Sequence, residues 1–301
     1  MTPTATSTSN SASTSASTGT TGTTLVIGAT GTTGGRAAAQ LVAAGHRVKA
    51  AGRRATPVPG AQPVRFDWYD PSTFGDALAG ADRVYVVPPV GEPDPAPVML
   101  PFLRQAGTAG VRRAVLLGSS AIAAGGPAVG EVHQALPDLF DQWAVLRPSW
   151  FMQNFTGTHI HARSIRDDGT ILTAAGDGRV GFVDADDIAA VAVRALTDDR
   201  APDADLLLTG PEALSHDDIA AIITEVTGRP VAHRALTREQ LRDRLAAQMP
   251  PAFAAMLADM DSAIAGGAED RTTDTVHRVT GRPPNSFRAV VERELLRTPR
   301  P

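Results

Sequence analysis

Cysteine is absent from all 301 residues, which excludes disulfides, zinc–thiolate sites and a cysteine nucleophile. Lysine occurs once, as Lys49, and tyrosine twice, as Tyr69 and Tyr85. Catalysis by a tyrosine with an activating lysine four residues on is therefore excluded, because Thr73 follows Tyr69 at that distance and Pro89 follows Tyr85. No apolar run approaches the roughly 18 residues that a membrane span requires. The net charge of −4 argues against a nucleic-acid binder that works by general basicity. None of the seven histidines has the spacing of a metal motif. His159 and His161 lie two apart with no carboxylate motif nearby, and read as surface or pocket residues rather than as ligands.

Charge is also missing from the start of the chain, where Arg36 is the first charged residue. Residues 2–23 are almost entirely Thr, Ser, Ala and Gly, so the stretch 1–23 is expected to be a disordered tail. It lacks the basic and apolar regions of a secretory signal and the arginines of a transit peptide, so a cytoplasmic protein is expected. Hydrophobic content of 43% and charged content of 20% are ordinary for a soluble enzyme.

From Thr24 onward, strand and helix patterns alternate. Strands are expected at Thr24–Ile27, His46–Ala51, Gln62–Phe66, Arg83–Val87, Arg113–Leu117 and Trp143–Leu146. Helices are expected at Thr33–Ala44, Pro71–Ala79, Ala96–Ala109 and Gly130–Asp141. Such spacing indicates βαβ units, and the continuous apolar strands indicate a parallel sheet covered on both faces. Beyond Pro148 the alternation weakens. A helix over Asp186–Leu196 with Asp186 as N-cap, a short strand Leu206–Leu208 and a helix from Ser215 to Val226 are expected, followed by two helices within Leu236–Ala265, broken at Met249-Pro250-Pro251. The pattern predicts a Rossmann-type, doubly wound α/β sheet at residues 24–155. Residues 156–301 are expected to form a smaller C-terminal α/β cap, interleaved with that core, over the mouth of the sheet.

The strongest local signal is Gly28-Ala29-Thr30-Gly31-Thr32-Thr33-Gly34, lying directly after the first strand and opening a helix. Gly28 permits the tight turn, Gly31 lets backbone approach a pyrophosphate, and Gly34 lets the helix pack on the sheet. The helix N-terminus supplies N–H groups and a positive dipole end. Dinucleotide binding is the reading, with Thr30, Thr32 and Thr33 in the same turn; a purely structural glycine turn is the alternative. The second strand runs into Gly52-Arg53-Arg54 with no acid to bind a ribose 2′-hydroxyl. Arg53 can instead clamp a 2′-phosphate, assisted by Arg54, which favours NADP(H) over NAD unless both arginines are a solvated strand end. Asp67 sits where an adenine amino group could be received, and Trp68 beside it either packs on that ring or belongs to the core.

The glycine turn, Phe66-Asp67-Trp68, Tyr85-Val86-Val87-Pro88-Pro89, Leu146-Arg147-Pro148-Ser149-Trp150-Phe151-Met152-Gln153-Asn154-Phe155, Gly176-Asp177-Gly178-Arg179 and Val279-Thr280-Gly281-Arg282-Pro283-Pro284 together resemble the NmrA-like group of atypical short-chain dehydrogenases. The resemblance covers nearly everything after residue 23. That family includes NAD(P)H:quinone reductases, iminium-reducing dehydrogenases of ergot alkaloid pathways, and co-regulators that bind the dinucleotide without turning it over. It implies Pro88 and Pro89 beside the cofactor ribose, Ser119 near the nicotinamide, and Pro148, Phe151 and Asn154 on the nicotinamide and substrate side. Phe155 reads rather as a core aromatic.

Hydride transfer needs chiefly orientation of donor and acceptor, whereas a positioned acid matters most for a poorly electrophilic ketone. Without the Tyr/Lys pair, the expected acceptors are quinones, iminium ions or activated conjugated compounds, planar small molecules. His133, on the helix after the fifth strand, is the candidate acid, with a packed or solvated histidine as the alternative. Asp138 and Asp177 are weaker candidates. Met249, Met256 and Met260 form either an adaptable wall over a planar substrate or ordinary core. The main alternative to a reductase is an NADP(H) sensor whose cap binds a protein partner. A homodimer is compatible with everything above.

Overall fold

The computed structural model describes residues 22–296. Most of the expected tail, residues 1–21, lies outside them, while Thr23 already belongs to the first strand. Along the chain come β1 (Thr23–Ile27), α1 (Thr32–Ala43), β2 (Arg47–Gly52), β3 (Gln62–Arg65), α2 (Phe74–Leu78), β4 (Arg83–Val86), α3 (Ala96–Thr108), β5 (Arg113–Leu117), α4 (Gly130–Leu139) and β6 (Gln142–Pro148). The second half supplies α5 (Gln153–Thr156), α6 (Ile160–Asp168), β7 (Thr170–Thr173), β8 (Arg179–Val180), α7 (Ala185–Thr197), β9 (Ala204–Leu208), β10 (Leu214–Ser215), α8 (His216–Thr227) and β11 (Ala232–Ala235). The helices α9 (Arg238–Ala246), α10 (Pro251–Ala265), α11 (Thr275–Thr280) and α12 (Phe287–Val291) complete it.

Seven strands form one sheet in the order β3-β2-β1-β4-β5-β6-β9, every pair parallel. The order reverses beside β1, so the crevice at the C-terminal ends of β1 and β4 is the place where an open α/β sheet accepts a ligand. One face carries α2, α3 and α4 over a core with Phe66, Trp68, Phe74 and Phe102. The other carries α1, α7 and α11 over Val26, Tyr85, Val115 and Leu146. The sheet is completed by β9, a strand legible as Leu206–Leu208 but not assignable to this sheet from sequence alone.

One correction to the sequence reading follows from hydrogen bonds. Helix α7 starts earlier than expected: its cap is Asp184, whose carboxylate accepts from the Asp186 amide, and Asp186 lies inside the first turn. The other end of α7 is held by buried Arg113 on β5, which donates to the carbonyls of Leu196 (3.0 Å) and Asp198 (2.6 Å). These carbonyls would otherwise be orphaned at a helix terminus. The expected helix from Ser215 begins with that residue as its cap: Ser215 and Asp218 exchange side-chain-to-backbone hydrogen bonds at the start of α8.

The smaller region packs Phe155, Ile171, Phe182, Ile223 and Phe287 into its own core. It contains two two-stranded sheets, β10 with β8 and β11 with β7. Its link to the large sheet is ionic as well as apolar. Asp187 on α7, with a fully buried side chain, accepts from Arg282 Nη1 (2.6 Å) and the Asn285 amide (2.7 Å). Truncating it leaves a guanidinium and an amide without their acceptor. Asp187→Ala is expected to lower stability by about 3–5 kcal/mol, read as a lower urea midpoint at an unchanged m-value.

Candidate functional site

A cleft of about 590 Å³ opens at the switch point, lined by Gly28, Thr30, Gly31, Thr32, Thr33 and Gly34 from the glycine turn. Arg53, Asp67, Trp68, Pro88, Pro89 and Phe151 line it too. Gly28 has φ +68°, a left-handed backbone that only glycine adopts cheaply. A Cβ on Gly34 would stand 2.2 Å from the Gly28 carbonyl oxygen, so a side chain there would push α1 off β1. The N-cap of α1 is Gly31, which brings no side-chain acceptor, and the first turn has no acid. The leading N–H groups of α1 thus face the cleft without a side-chain cap, as a diphosphate requires.

At the end of β2, a tight turn closed by the Ala55 amide on the Gly52 carbonyl (3.1 Å) carries Arg53 and Arg54 at its centre. Both are exposed and have no hydrogen-bond or ion-pair partner among the described residues. They line a smaller recess of about 90 Å³ with Ala29, Thr30 and Thr56. This turn therefore offers two unpaired guanidinium groups beside the glycine turn and no competing carboxylate. The residues present fit a dinucleotide.

Asp67 borders the cleft, and one of its carboxylate oxygens accepts from the Tyr69 amide (3.1 Å). Trp68 serves both readings: its ring packs edge-on against Phe66 and Phe102, yet it also lines the cleft. Ser119 and Pro148 lie at the ends of β5 and β6 but are not among the residues lining the cleft. His133 is not brought to it either. It is buried on α4, where Asp205 and Arg147 are its charged neighbours and desolvation lowers its affinity for a proton. Tyr85 is fully buried in the sheet, with burial raising its phenol, and Lys49 Nζ donates to the carbonyls of Asp76 (2.6 Å) and Ala79 (2.9 Å).

The segment Trp150–Asn154 borders the cleft through Phe151 and a second cavity of about 110 Å³ through Trp150 and Asn154. The walls of this second space are largely apolar: Leu172, Leu241, Leu257, Met249 and Met260. Two of the three expected methionines are there, and Met256 is not among the lining residues. Its polar groups, besides Asn154 and the Trp150 indole, are His159, His161, Ser164, Arg244 and Asp261.

Sequence inspection missed what stands behind this cavity. His161, His216 and His233 come from three separate elements, with ring centroids 6.3 Å and 5.3 Å apart in turn. Phe155, a core residue as expected, stacks on His161 at 5.5 Å. Also missed was a clasp under the glycine helix. Arg36 on α1 pairs with Asp186 (3.1 Å) and Glu294 (3.0 Å), and Glu294 also accepts from Gln153 (3.0 Å) and Thr156 on α5. No sequence spacing signals partners 258 residues apart.

Residues 28–199 match the family described as NAD(P)H-binding, and residues 142–280 match the NmrA-like family. The chain is 46% identical over 264 residues to the oxidoreductase YesF of Bacillus subtilis (strain 168), covering 87% of this chain and 92% of that one. It is 39% identical over 273 residues to agroclavine dehydrogenase of Claviceps fusiformis, covering 88% and 94%. The fold is similar to that of the NADPH-dependent quinone oxidoreductase QOR2 of Escherichia coli complexed with NADPH. That likeness has a TM-score of 0.75 at 22% identity and covers 90% of this chain and 99% of that one. No helix among the described residues is long and apolar enough to cross a membrane, and no group of them has the makings of a metal site.

The buried imidazoles make stability depend on pH. Burial, with His233 beside it, pushes His216 down to about 4, and burial with its histidine neighbours holds His161 well below the usual range. An unfolded imidazole protonates near pH 6.5, so the folded chain binds fewer protons between there and about pH 4. Stability is complete above 6.5 and is lost as pH falls through that window. Asp261, pushed up to about 6 by burial, acts oppositely and offsets part of the loss. His216 alone contributes a loss on the order of 3 kcal/mol. The melting temperature is expected to fall from pH 7.5 to pH 5, and to fall less in His216→Phe, whose ring suits the neighbouring Phe155 and Phe182.

Proposed function

Since this chain belongs to the NmrA-like group of NAD(P)H-binding oxidoreductases, we propose that it is an NADPH-dependent reductase for a quinone, an iminium ion or a comparable activated, conjugated small molecule. The observation that carries this reading is the pairing of two spaces across Trp150–Asn154: a phosphate-ready cleft on one side and an apolar cavity on the other.

When bound, the reduced dinucleotide supplies the hydride. The chain's own residues hold and orient. The α1 N-terminus takes the diphosphate, Arg53 and Arg54 grip a 2′-phosphate, and Asp67 faces the adenine. Pro88 and Pro89 border the ribose end of the cleft, and Phe151 and Asn154 mark the passage to the acceptor. Orientation of this kind supplies most of what hydride transfer needs. An acceptor that is already electron-poor tolerates the missing Tyr/Lys pair. Agroclavine dehydrogenase and the quinone oxidoreductase are similar proteins whose names fit acceptors of this sort.

Two measurements test it. Anaerobic stopped-flow absorbance should show NADPH oxidised by members of a panel of quinones and cyclic iminium ions; tight NADPH binding with no oxidation by any of them would favour a sensor instead. Arg53→Ala should weaken NADPH by about 10- to 100-fold, the loss of charge-assisted hydrogen bonds, while changing NADH little. An equal loss for both coenzymes would remove the 2′-phosphate from the assignment.

A further inference from the structure

The second cavity holds one carboxylate among its described lining residues, that of Asp261 on α10. One oxygen is fixed by the Ala174 amide at 2.9 Å, at the end of β7. The other has no hydrogen-bond partner among the described residues. Nearby, Ser164 lines the same cavity, and its Oγ is buried without a partner. The half-buried Asp261 carboxylate, lining a cavity with Leu172, Leu257 and Met260, has no ion pair among the described residues to offset its desolvation. The buried Ser164 hydroxyl of the same cavity is an uncompensated donor and acceptor. Both are accounted for if a polar, basic group of a ligand completes the site.

Resting on the reductase reading above, we propose that Asp261 is the catalytic acid of this cavity: it gives a proton to the basic nitrogen of a flat, apolar, neutral imine and, once ionised, is the counter-ion of the resulting cation. The step balances. The imine nitrogen takes the carboxyl proton, the imine carbon takes the hydride with its electron pair, and the product is the amine. The carboxylate recovers its proton from water. An acceptor that is already a cation takes the hydride alone and uses Asp261 only as counter-ion.

The titratable groups around Asp261 are consistent with this role. His233 on β11 is the nearest one electrostatically; its Nε2 lies 2.8 Å from Thr173 Oγ1 and its Nδ1 lies 3.3 Å from the exposed Asp217 carboxylate. His159 and His161 stand at the start of α6, Arg244 lies exposed on α9, and His216 is one layer behind. On its own helix, Asp259 is turned to solvent and pairs with Arg238. Burial leaves Asp261 able to exchange a proton close to neutrality, as a general acid must.

The probes are 3,4-dihydroisoquinoline, a neutral imine, and its N-methyl iminium, with N-methylisoquinolinium as a cation for calorimetry without turnover. Asp261→Asn keeps an acceptor for the Ala174 amide, and retained NADPH binding checks its folding. In the unaltered chain the cation should bind more tightly as pH rises through about 6; in the variant, binding should be about tenfold weaker and flat with pH. The variant should lose about 10²-fold in kcat/KM on the imine at pH values above the imine's own pKa, with the loss shrinking as pH falls and the imine arrives already protonated, so that the variant's pH profile follows the imine's own ionisation. On the N-methyl iminium it should raise KM and leave kcat nearly unchanged. Equal losses on both acceptors, or cation binding in the unaltered chain that ignores pH, would overturn the assignment. If the unaltered chain binds the cation as expected yet reduces no acceptor, the reductase reading and the proton step both fail, and Asp261 stands only as a cation site.

Discussion

The unpaired N–H groups at the start of α1 are the constraint around which the molecule is arranged. A helix beginning at Gly31 without a capping side chain is poorly satisfied by itself. It points at the crevice between β1 and β4 because Gly34 lets it lie against the Gly28 carbonyl. The clasp of Arg36 with Asp186 and Glu294 fixes the same helix from its flank and ties it to α5, whose Asn154 lines the second cavity. The glycine turn and the segment that borders the second cavity thus share one support.

The lone lysine and one of the two tyrosines serve architecture. Lys49 closes the end of α2 through two carbonyls, and Tyr85 is sealed inside the sheet. In the second cavity, the Ser164 hydroxyl is buried without a hydrogen-bond partner and the Asp261 carboxylate has no ion pair among the described residues.

The large sheet was largely legible because its signals are local. Each strand through β6 falls within a residue or two of its apolar run, and the glycine turn declares itself over seven letters. The two helices either side of Pro250 were equally plain, since consecutive prolines end one helix and suit the cap and first turn of the next. What escaped notice has its parts far apart in the chain. His161, His216 and His233 show no spacing that marks a cluster; only the packing of α6, α8 and β11 assembles one. Asp261 reads as one more acid on a helix until the fold places the end of β7 against it. The cap of α7 was misplaced for the opposite reason: three acids at 184, 186 and 187 all suit an N-terminus, and only hydrogen bonding selects among them.

The sheet face beneath α1 has a further consequence for how the protein is made. It is covered by α7 and α11, and β9 completes the edge, so Val191, Leu208 and Val276 belong to the same core as Val26. A nascent chain that has emerged only through β6 has its nucleotide turn in hand, but the cover from α7 comes only about fifty residues later and that from α11 more than a hundred residues later, so part of this apolar face stays open until then. Non-local parallel pairing closes slowly, so this interval is the one in which the chain has most need of a chaperone.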